Sequence, residues 1–462
     1  MSKKKELIES MLVPEGLRYQ CLPLGPSQIP KLHHGLSRVL FSPGPQFLRD
    51  PRTARFNFDK RLLLLPKPDA FDMNSLPAFV KGSQDTMLAG LCREHGRKYF
   101  TSTSSLTTTL AKLHLLISGQ KTVSLDDFTK PFGDMTANMA VRLRTKPFGL
   151  ILRHRDDTYG IEIYDPSPDP DSAVLLDLGH IIEQFITTDT ESFDGMLRGS
   201  QQPQTATANC FMYSLTDKFI LRAQLDCAHP ALPKQRFDIK SRATLPIRMY
   251  LKGYESNLGY KLTKRNGLYE SFEREYYDLL RTGLISYSLQ ARIGNMDGIF
   301  VCYHNTQEVF GFEYLPLEKI DRDVFGSTEF ANQSFALTLQ LAEAIMDTVT
   351  ARYPNRDVKV LFNCPRDGRL KFYALPETNT KTLKDEDITC FTLATKSFIN
   401  GFAIDAAPFV NDGEDETWGV EYKLMQSPGG SNRVAKLEQQ LASAVPSSDY
   451  VAQQIKRHVG YE

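Results

Sequence analysis

This sequence predicts a mixed α/β core with appended α+β material, and three observations carry the prediction. Apolar residues at three- and four-residue steps alternate along the chain with short period-two runs, in the order helix, antiparallel strand group, helix, strand. No internal repeat interrupts that order. The composition is globular: 462 residues, 41% hydrophobic, 24% charged and 10% aromatic, which excludes a wholly disordered, collagenous or coiled-coil chain. A chain of this length is expected to hold about two to three domains.

Residues 1–80 are rich in proline, and Phe41-Ser-Pro-Gly-Pro45 and Leu65-Pro-Lys-Pro68 force extended or turn backbone. Their Leu and Phe content predicts an extended arm packed on a later domain. Helical spacing starts near Asp85 and recurs over Thr103–Ile117, where Leu106, Leu110, Leu113 and Ile117 share a face. Strands 148–154 and 159–164 flank Arg155-Asp156-Asp157-Thr158, a hairpin signal. A helix over 175–187 precedes strands at 219–226 and 237–245 and a helix-rich block at 268–293. Strands at 298–304 and 308–314 complete a core expected to span 81–315. The remainder, 316–462, reads as a C-terminal α+β extension: a long helix at 329–352, strands at 358–362 and 370–374, and a polar helix after Asn432.

Lys+Arg and Asp+Glu are 55 each, so no global field draws in a polyanion, and any such site must be a local basic patch. The seven cysteines are scattered without C-x-x-C spacing, which reads as a reducing compartment with neither a zinc ribbon nor a disulfide scaffold. The longest apolar runs, such as Leu62–Leu65 and Gly298–Cys302, are strand-sized, far below the ~20 residues of a membrane span. The lysine-rich N-terminus has no apolar signal core and carries acids early, unlike a secretory or transit peptide. An organellar address, if the protein has one, is expected to have been removed.

The most informative chemistry lies in Phe219–Asp226 and Phe237–Arg242. Side chains alternate across a strand, so Arg222, Gln224 and Asp226 oppose Phe219, Leu221, Ala223 and Leu225, while Asp238, Lys240 and Arg242 oppose Phe237 and Ile239. Paired as a hairpin, the two polar faces coincide. Two aspartates with a backbone carbonyl, that of Ile239, and waters can hold one or two hard divalent cations. Such an ion acidifies water and stabilises charge on a scissile phosphate, and Lys240 can orient that water or neutralise the phosphate. An acid-x-lysine pattern also occurs by chance, and an exposed strand face with ordinary ion pairs would show it equally.

Gln290 and Arg292, on a helix after the strand pair, can reach back to that site or to a nucleic-acid backbone, or face solvent. Arg97 and the hydroxyls Ser102, Ser104 and Ser105 stand at the start of the 103–117 helix; they are either plain caps or an anion site on free N–H groups. Seven tyrosines between Tyr250 and Tyr287 alternate with Lys261, Lys264, Arg265 and other cations, a composition suited to single-stranded nucleic acid. About half of those tyrosines are expected in the core. Asp165, Asp169 and Asp171 lack the glycine and terminal glutamate of an EF-hand. No P-loop, G-x-G-x-x-G, G-x-S-x-G or H-E-x-x-H is present, which argues against ATPase, dinucleotide, hydrolase-elbow and zinc-protease readings.

Several phrases in order resemble the fungal mitochondrial RNA-processing family that trims transcript 5′ ends, a divergent branch of the PD-(D/E)XK nuclease superfamily. They include His34-Gly-Leu-Ser-Arg-Val-Leu-Phe41, Asp50-Pro-Arg52, Lys98-Tyr-Phe-Thr-Ser-Thr-Ser-Ser105, Gln224-Leu-Asp226 and Phe237-Asp-Ile-Lys-Ser-Arg242. Ser271-Phe-Glu-Arg-Glu-Tyr-Tyr-Asp278, Tyr287-Ser-Leu-Gln-Ala-Arg292, Met296-Asp-Gly-Ile-Phe-Val301 and His304-Asn-Thr306 complete the set.

The resemblance implies a PD-(D/E)XK-like core whose mixed sheet is flanked by helices. It implies a mitochondrial protein of the matrix or the inner-membrane surface, trimmed of its leader. It further implies a Mg²⁺- or Mn²⁺-dependent 5′-to-3′ exoribonuclease on single-stranded RNA, in company with the mitochondrial RNA polymerase or an RNA-degradation complex. The superfamily motif falls on Asp226, Asp238 and Lys240, with Gln290 as the auxiliary helix residue. Glu183 is the nearest candidate for the glutamate that many members place on a preceding helix. Arg97 and the serines after it look similar to the phosphate-holding segment of lambda-type exonucleases. Arg222, Arg242, Lys261, Lys264, Arg265 and Arg292 are the expected RNA contacts. A catalytically silent RNA-binding scaffold of the same fold, or a DNA exonuclease, is the alternative.

Overall fold

The computed structural model describes residues 5–23, 29–166, 173–377, 384–404, 416–428 and 430–442. Asp169 and Asp171 of the acidic loop lie outside them. The first segment carries β1 (Lys5–Leu12), β2 (Gln20–Cys21) and β3 (Gln46–Phe47) among short 3-10 turns. Next come α1 (Thr86–Glu94), β4 (Tyr99–Ser102), α2 (Thr103–Ile117), α3 (Val141–Thr145), and the hairpin β5 (Phe148–Arg155) and β6 (Thr158–Ile163). Asp156, at φ 50°, supplies the left-handed residue that a two-residue hairpin turn needs. The chain continues through α4 (Ala173–Thr187), α5 (Thr190–Gly195), β7 (Cys210–Leu215), β8 (Phe219–Leu225), β9 (Cys227–Ala228) and β10 (Arg236–Ala243). Helices α6 (Leu245–Met249), α7 (Phe272–Thr282) and α8 (Leu284–Ile293) lead to β11 (Gly298–His304) and β12 (Val309–Pro316). The last part holds α9 (Leu317–Phe325), α10 (Thr328–Arg352), β13 (Val358–Phe362), β14 (Arg369–Pro376), β15 (Thr389–Ile399), β16 (Phe402–Ile404), β17 (Trp418–Pro428) and α11 (Ser431–Ala442).

Two mixed sheets flanked by helices result. The larger runs β1-β17-β15-β14-β13-β5-β6-β4-β8-β7-β2, with β16 beside β15, and the smaller runs β3-β12-β11-β10-β9. The strands expected in a C-terminal extension continue the large sheet through the antiparallel pair β5–β13, so the sheet crosses the expected boundary at 315/316. The N-terminal arm also joins it: β1 pairs with β17 at one edge and β2 with β7 at the other. Much of the remaining arm packs on the rest of the chain, with Leu36, Val39, Leu48, Leu62 and Phe71 buried against α4 and the small sheet.

Helix α2 is buried on most of its sides, between the large sheet, α8 and α10. Ser327 opens the 25-residue α10 by accepting the Phe330 N–H, the cap that a free first turn requires. Strand β10 runs parallel to β11, with Lys240 opposite Val301, and the α6–α8 segment makes the crossover that a parallel pair demands. No disulfide joins any of the cysteines among the described residues. No helix among the described residues is long and apolar enough to cross a membrane.

Candidate active site

The site forms where the chain passes from one sheet to the other. In β8, Phe219, Leu221, Ala223 and Leu225 enter the main core, which turns Arg222 and Gln224 to the opposite face. Strand β8 ends at Leu225, and after Asp226 the chain joins the small sheet as β9. The expected β8–β10 hairpin is therefore absent as a ladder. Only Cys227 and Ala228 pair with β10, opposite Phe237 and Arg236, because β8 is already occupied on both edges by β4 and β7.

The bend brings the two aspartates together nonetheless. Asp226 Oδ2 accepts the Ile239 backbone N–H at 2.9 Å. Phe237 and Ile239 bury against the α4 side of the small sheet, so Asp238, Lys240 and Arg242 project from its other face. Asp238 is fully buried; its Oδ1 accepts from Gln290 Nε2 of α8 at 3.2 Å and its Oδ2 lies 2.5 Å from Lys240 Nζ. The Lys240 ammonium sits 5.4 Å from the Tyr287 ring centroid. Glu183 comes from α4, whose Ile181, Ile182, Phe185 and Ile186 pack in the second core.

A cleft of about 360 Å³ is bordered by Glu183, Asp226, Asp238, Ile239, Lys240 and Gln290, and also by Ser102, Ser104 and Arg222. His180, Gln224, Phe211 and Tyr287 line it too. His180 stands one turn before Glu183 on α4, a spacing legible in the sequence but without a partner there to give it meaning. Burial pushes the Glu183 carboxyl up to about 7, with the Asp238 charge adding to the effect and Lys240 opposing it. Burial, followed by repulsion from Asp238 and Glu183, holds Asp226 well above the ordinary carboxylate range. Burial works against the Lys240 ammonium, yet Asp238 and Asp226 keep it firmly protonated, above its usual value. Burial lowers the His180 imidazole, against the pull of Asp177.

Three carboxyl groups share one ammonium in a desolvated place, where burial and mutual repulsion favour protonation of Asp226 and Glu183; a divalent cation would offset that repulsion, and the arrangement suits one. Asp238 Oδ2 is buried against the Lys240 ammonium at the floor of the cleft. No group of three or more His, Cys, Asp or Glu among the described residues is close-set enough to cage a metal by itself. The donor set that fits is thus Asp226 and Asp238, completed by main chain, water or substrate oxygen, with Glu183 beside them.

Ser102 leaves β4 in extended conformation as the first residue before α2, and its Oγ lies 2.8 Å from Ser104 Oγ. It makes no side-chain cap hydrogen bond to the first turn of α2, and Ser102, Thr103 and Ser104 border the cleft there. Arg222 lines the cleft but is committed: it donates to Asp85 and to the Val80 carbonyl and lies 4.5 Å from the Phe211 ring centroid.

Other expected site residues are elsewhere. Arg97 precedes β4 whereas Ser102 ends it, so the strand separates the guanidinium from the hydroxyls, and Arg97 does not border the cleft. Ser105 turns into the protein interior. Arg242 is buried behind the cleft beside Arg248 and Glu275; burial and then Arg248 push its guanidinium down to about 10. Arg292 is buried and turned away from the cleft, donating to both Asp321 carboxylate oxygens at 2.8 and 2.7 Å. Lys261 is paired with Glu308 at 2.9 Å, and Lys264 and Arg265 lie exposed on the same loop, outside the cleft. Of the seven tyrosines, Tyr260, Tyr276 and Tyr277 are buried, and Tyr287 alone borders the cleft.

Residues 79–347 match the family model of the mitochondrial protein Pet127. The chain is 32% identical over 425 residues to the Schizosaccharomyces pombe mRNA degradation protein pet127, mitochondrial, covering 85% of this chain and 80% of that one. It is 38% identical over 319 residues to Saccharomyces cerevisiae PET127, covering 64% of this chain but 38% of that protein's length. Among solved structures it is similar to Scheffersomyces stipitis Rai1 in complex with (3′-NADP)⁺ and calcium ion. That match has 12% identity and a TM-score of 0.38, covering 80% of this chain and 96% of the other. It is also similar to Candida albicans Rai1 in complex with pU5-Mn²⁺, at 10% identity and a TM-score of 0.30, over 95% and 100%. With more than half its length matching the family model, the chain belongs to the mitochondrial Pet127 family.

Proposed function

We propose that the protein is a divalent-metal-dependent ribonuclease that degrades or trims single-stranded mitochondrial RNA from its 5′ end. The observation that carries the reading is the convergence of Asp226 from the β8–β9 bend, Asp238 and Lys240 from β10 and Gln290 from α8 on one cleft, with Glu183 of α4 bordering it too. The fission-yeast relative, named as an mRNA degradation protein, supports RNA as the substrate.

In this reading Asp226 and Asp238 hold Mg²⁺ or Mn²⁺. The ion, when bound, supplies an acidified water and charge stabilisation at a scissile phosphate. Lys240 keeps a full positive charge where negative charge develops on the phosphate, and the flanking carboxylates prevent its deprotonation. Gln290 donates to Asp238 Oδ1 and so fixes the orientation of that carboxylate, the role of an outer partner to a metal ligand. The hydroxyls of Ser102 and Ser104, at the start of α2, offer a seat for an anionic RNA end.

The test is purified protein on end-labelled RNA and DNA with Mg²⁺, Mn²⁺ or Ca²⁺. Cleavage of RNA with Mg²⁺ or Mn²⁺, none with Ca²⁺, and loss in Asp238→Asn are expected. A Mn²⁺-dependent rise in Tm that vanishes in Asp238→Asn reads the metal site apart from activity, since a ligand of the native state stabilises it by mass action. RNA binding without cleavage would instead favour a scaffold, and preference for DNA would change the substrate.

A further inference from the structure

The catalytic cleft does not end at Gln290. On α2, Ser104 borders that cleft, while Thr108 and Lys112, one and two turns further, border a second one of about 420 Å³. Facing them on α8, Gln290 borders the first cleft and Ser286, four residues earlier, borders the second, with Thr282 at the end of α7 alongside. Residues four apart share a helix face, and α2 packs on α8, so the two faces form one polar floor. From Ser104 to Lys112 it runs about 12 Å.

At its far side the second cleft shares Lys146 and Pro147 with a third, of about 530 Å³. This third cleft lies between the ends of β5 and β13 and α11. Lys146, Arg366, Arg433 and Lys436 line it with Tyr373, and no carboxylate among the described residues does. The acid of α11, Glu438, is turned away and pairs with Lys359 at 3.0 Å. Arg366 and Lys436 are exposed and have no ion pair among the described residues, and Arg433 meets the Tyr373 hydroxyl. The Lys112 ammonium, buried under the middle cleft, donates to the carbonyls of Leu143 and Lys146 and holds the connecting segment in place. The middle cleft adds Arg142 and a single carboxylate, Asp165.

In a chain of zero net charge, four cations around a cleft lined by no carboxylate among the described residues make a local positive field that attracts a polyanion. We infer that the three clefts are one track, and that the Arg366–Arg433–Lys436 cleft binds the phosphates of single-stranded RNA whose scissile bond lies at Asp226 and Asp238. This rests on the proposal that the first cleft takes RNA. It adds a distal phosphate site that tethers long substrates while short ones reach only the carboxylates.

The test is RNA binding in EDTA, where the proposed hydrolysis is off, using oligonucleotides of about 4 and about 16 nucleotides, the ends of the range over which single-strand grooves engage their ligand. Wild-type protein should bind the longer RNA more tightly. The triple variant R366Q/R433Q/K436Q, altered only at exposed side chains, should lose at least about tenfold affinity for the longer RNA, with the log–log salt slope shallower by about 2. Its affinity for the shorter RNA and its Tm should stay at wild-type values, as should its cleavage of that RNA in a separate assay with Mg²⁺. Equal affinity of wild type for both lengths, an unchanged slope in the variant, or equal loss on both lengths would overturn the track. Failure of the nuclease reading would show separately, as absent cleavage of the short RNA by wild type, and leaves the length-dependent binding result intact.

Discussion

The Asp226 carboxylate accepts the backbone N–H of Ile239 at 2.9 Å, thirteen residues downstream, and thereby ties the end of β8 to the middle of β10. One side chain joins the two sheets where the proposed ligands stand. Asp226→Asn keeps an acceptor oxygen for Ile239 but removes the charge. It should lower RNA cleavage by roughly 10³-fold, the several kcal/mol that metal-held charge stabilisation supplies, with Tm nearly unchanged. Asp226→Ala also leaves the Ile239 N–H unsatisfied, and should cost a further ~1–3 kcal/mol of stability. Denaturant titration of both variants beside a cleavage assay separates the two roles; equal stability of the two would deny the tie its structural part.

The hydroxyls of Ser102 and Ser104 face the cleft at the start of α2, whereas Arg97 stands at the other end of β4. RNA with a 5′-monophosphate should accordingly be degraded faster than RNA with a 5′-hydroxyl. Ser104→Ala should shrink that preference about tenfold, the value of one hydrogen bond to a charged group. Arg97→Ala should leave it untouched. Initial rates on the two RNAs decide it, and a loss of preference in Arg97→Ala alone would return the phosphate seat to that residue.

Arg292 and Asp321 form a buried bidentate pair, with Ser288 Oγ donating to Asp321 Oδ1 at 3.0 Å. Arg292→Met leaves Asp321 charged and uncompensated, which should destabilise the fold by about 3–5 kcal/mol. The double variant Arg292→Met/Asp321→Leu should recover much of that loss. Urea unfolding measures both, and the salt slope of RNA binding should stay at the wild-type value in the double variant.

Glu313 of β12 is buried beneath the Tyr303 hydroxyl, which donates to it at 2.7 Å. Burial raises its carboxyl from 4.5 to about 7 despite that bond and the Lys319 charge. A raised acid favours the protonated folded state, so its contribution is fully present below about 4.5 and is lost as pH rises through about 7. Glu313→Gln should therefore flatten the fall of Tm between pH 5 and 8 and make the variant more stable than wild type at pH 8. A Tm profile parallel to wild type across that range would show that Glu313 does not titrate there.

Local periodicity was enough to delimit α2, the β5–β6 hairpin and α10, because the apolar face of each helix or strand is written within the element itself. It was also enough to put Asp238 and Lys240 on one face, since two residues along a strand return to the same side whatever the strand pairs with. The partners were a different matter. That β8 would be closed by β4 and β7, forcing the chain to change sheets at Asp226, depends on strands more than a hundred residues away in one case. Arg292 read as a solvent or RNA contact because its counter-charge, Asp321, lies 29 residues on; only packing shows that the pair is desolvated together. Lys261 was claimed by Glu308 in the same way. The basic cleft needs α11 to lie across the ends of β5 and β13, and β1 reaches its place only by pairing with β17 at the opposite end of the chain. Residue order sets which side chains share a face; burial of those faces against one another, with every trapped charge needing a partner, decides which faces meet.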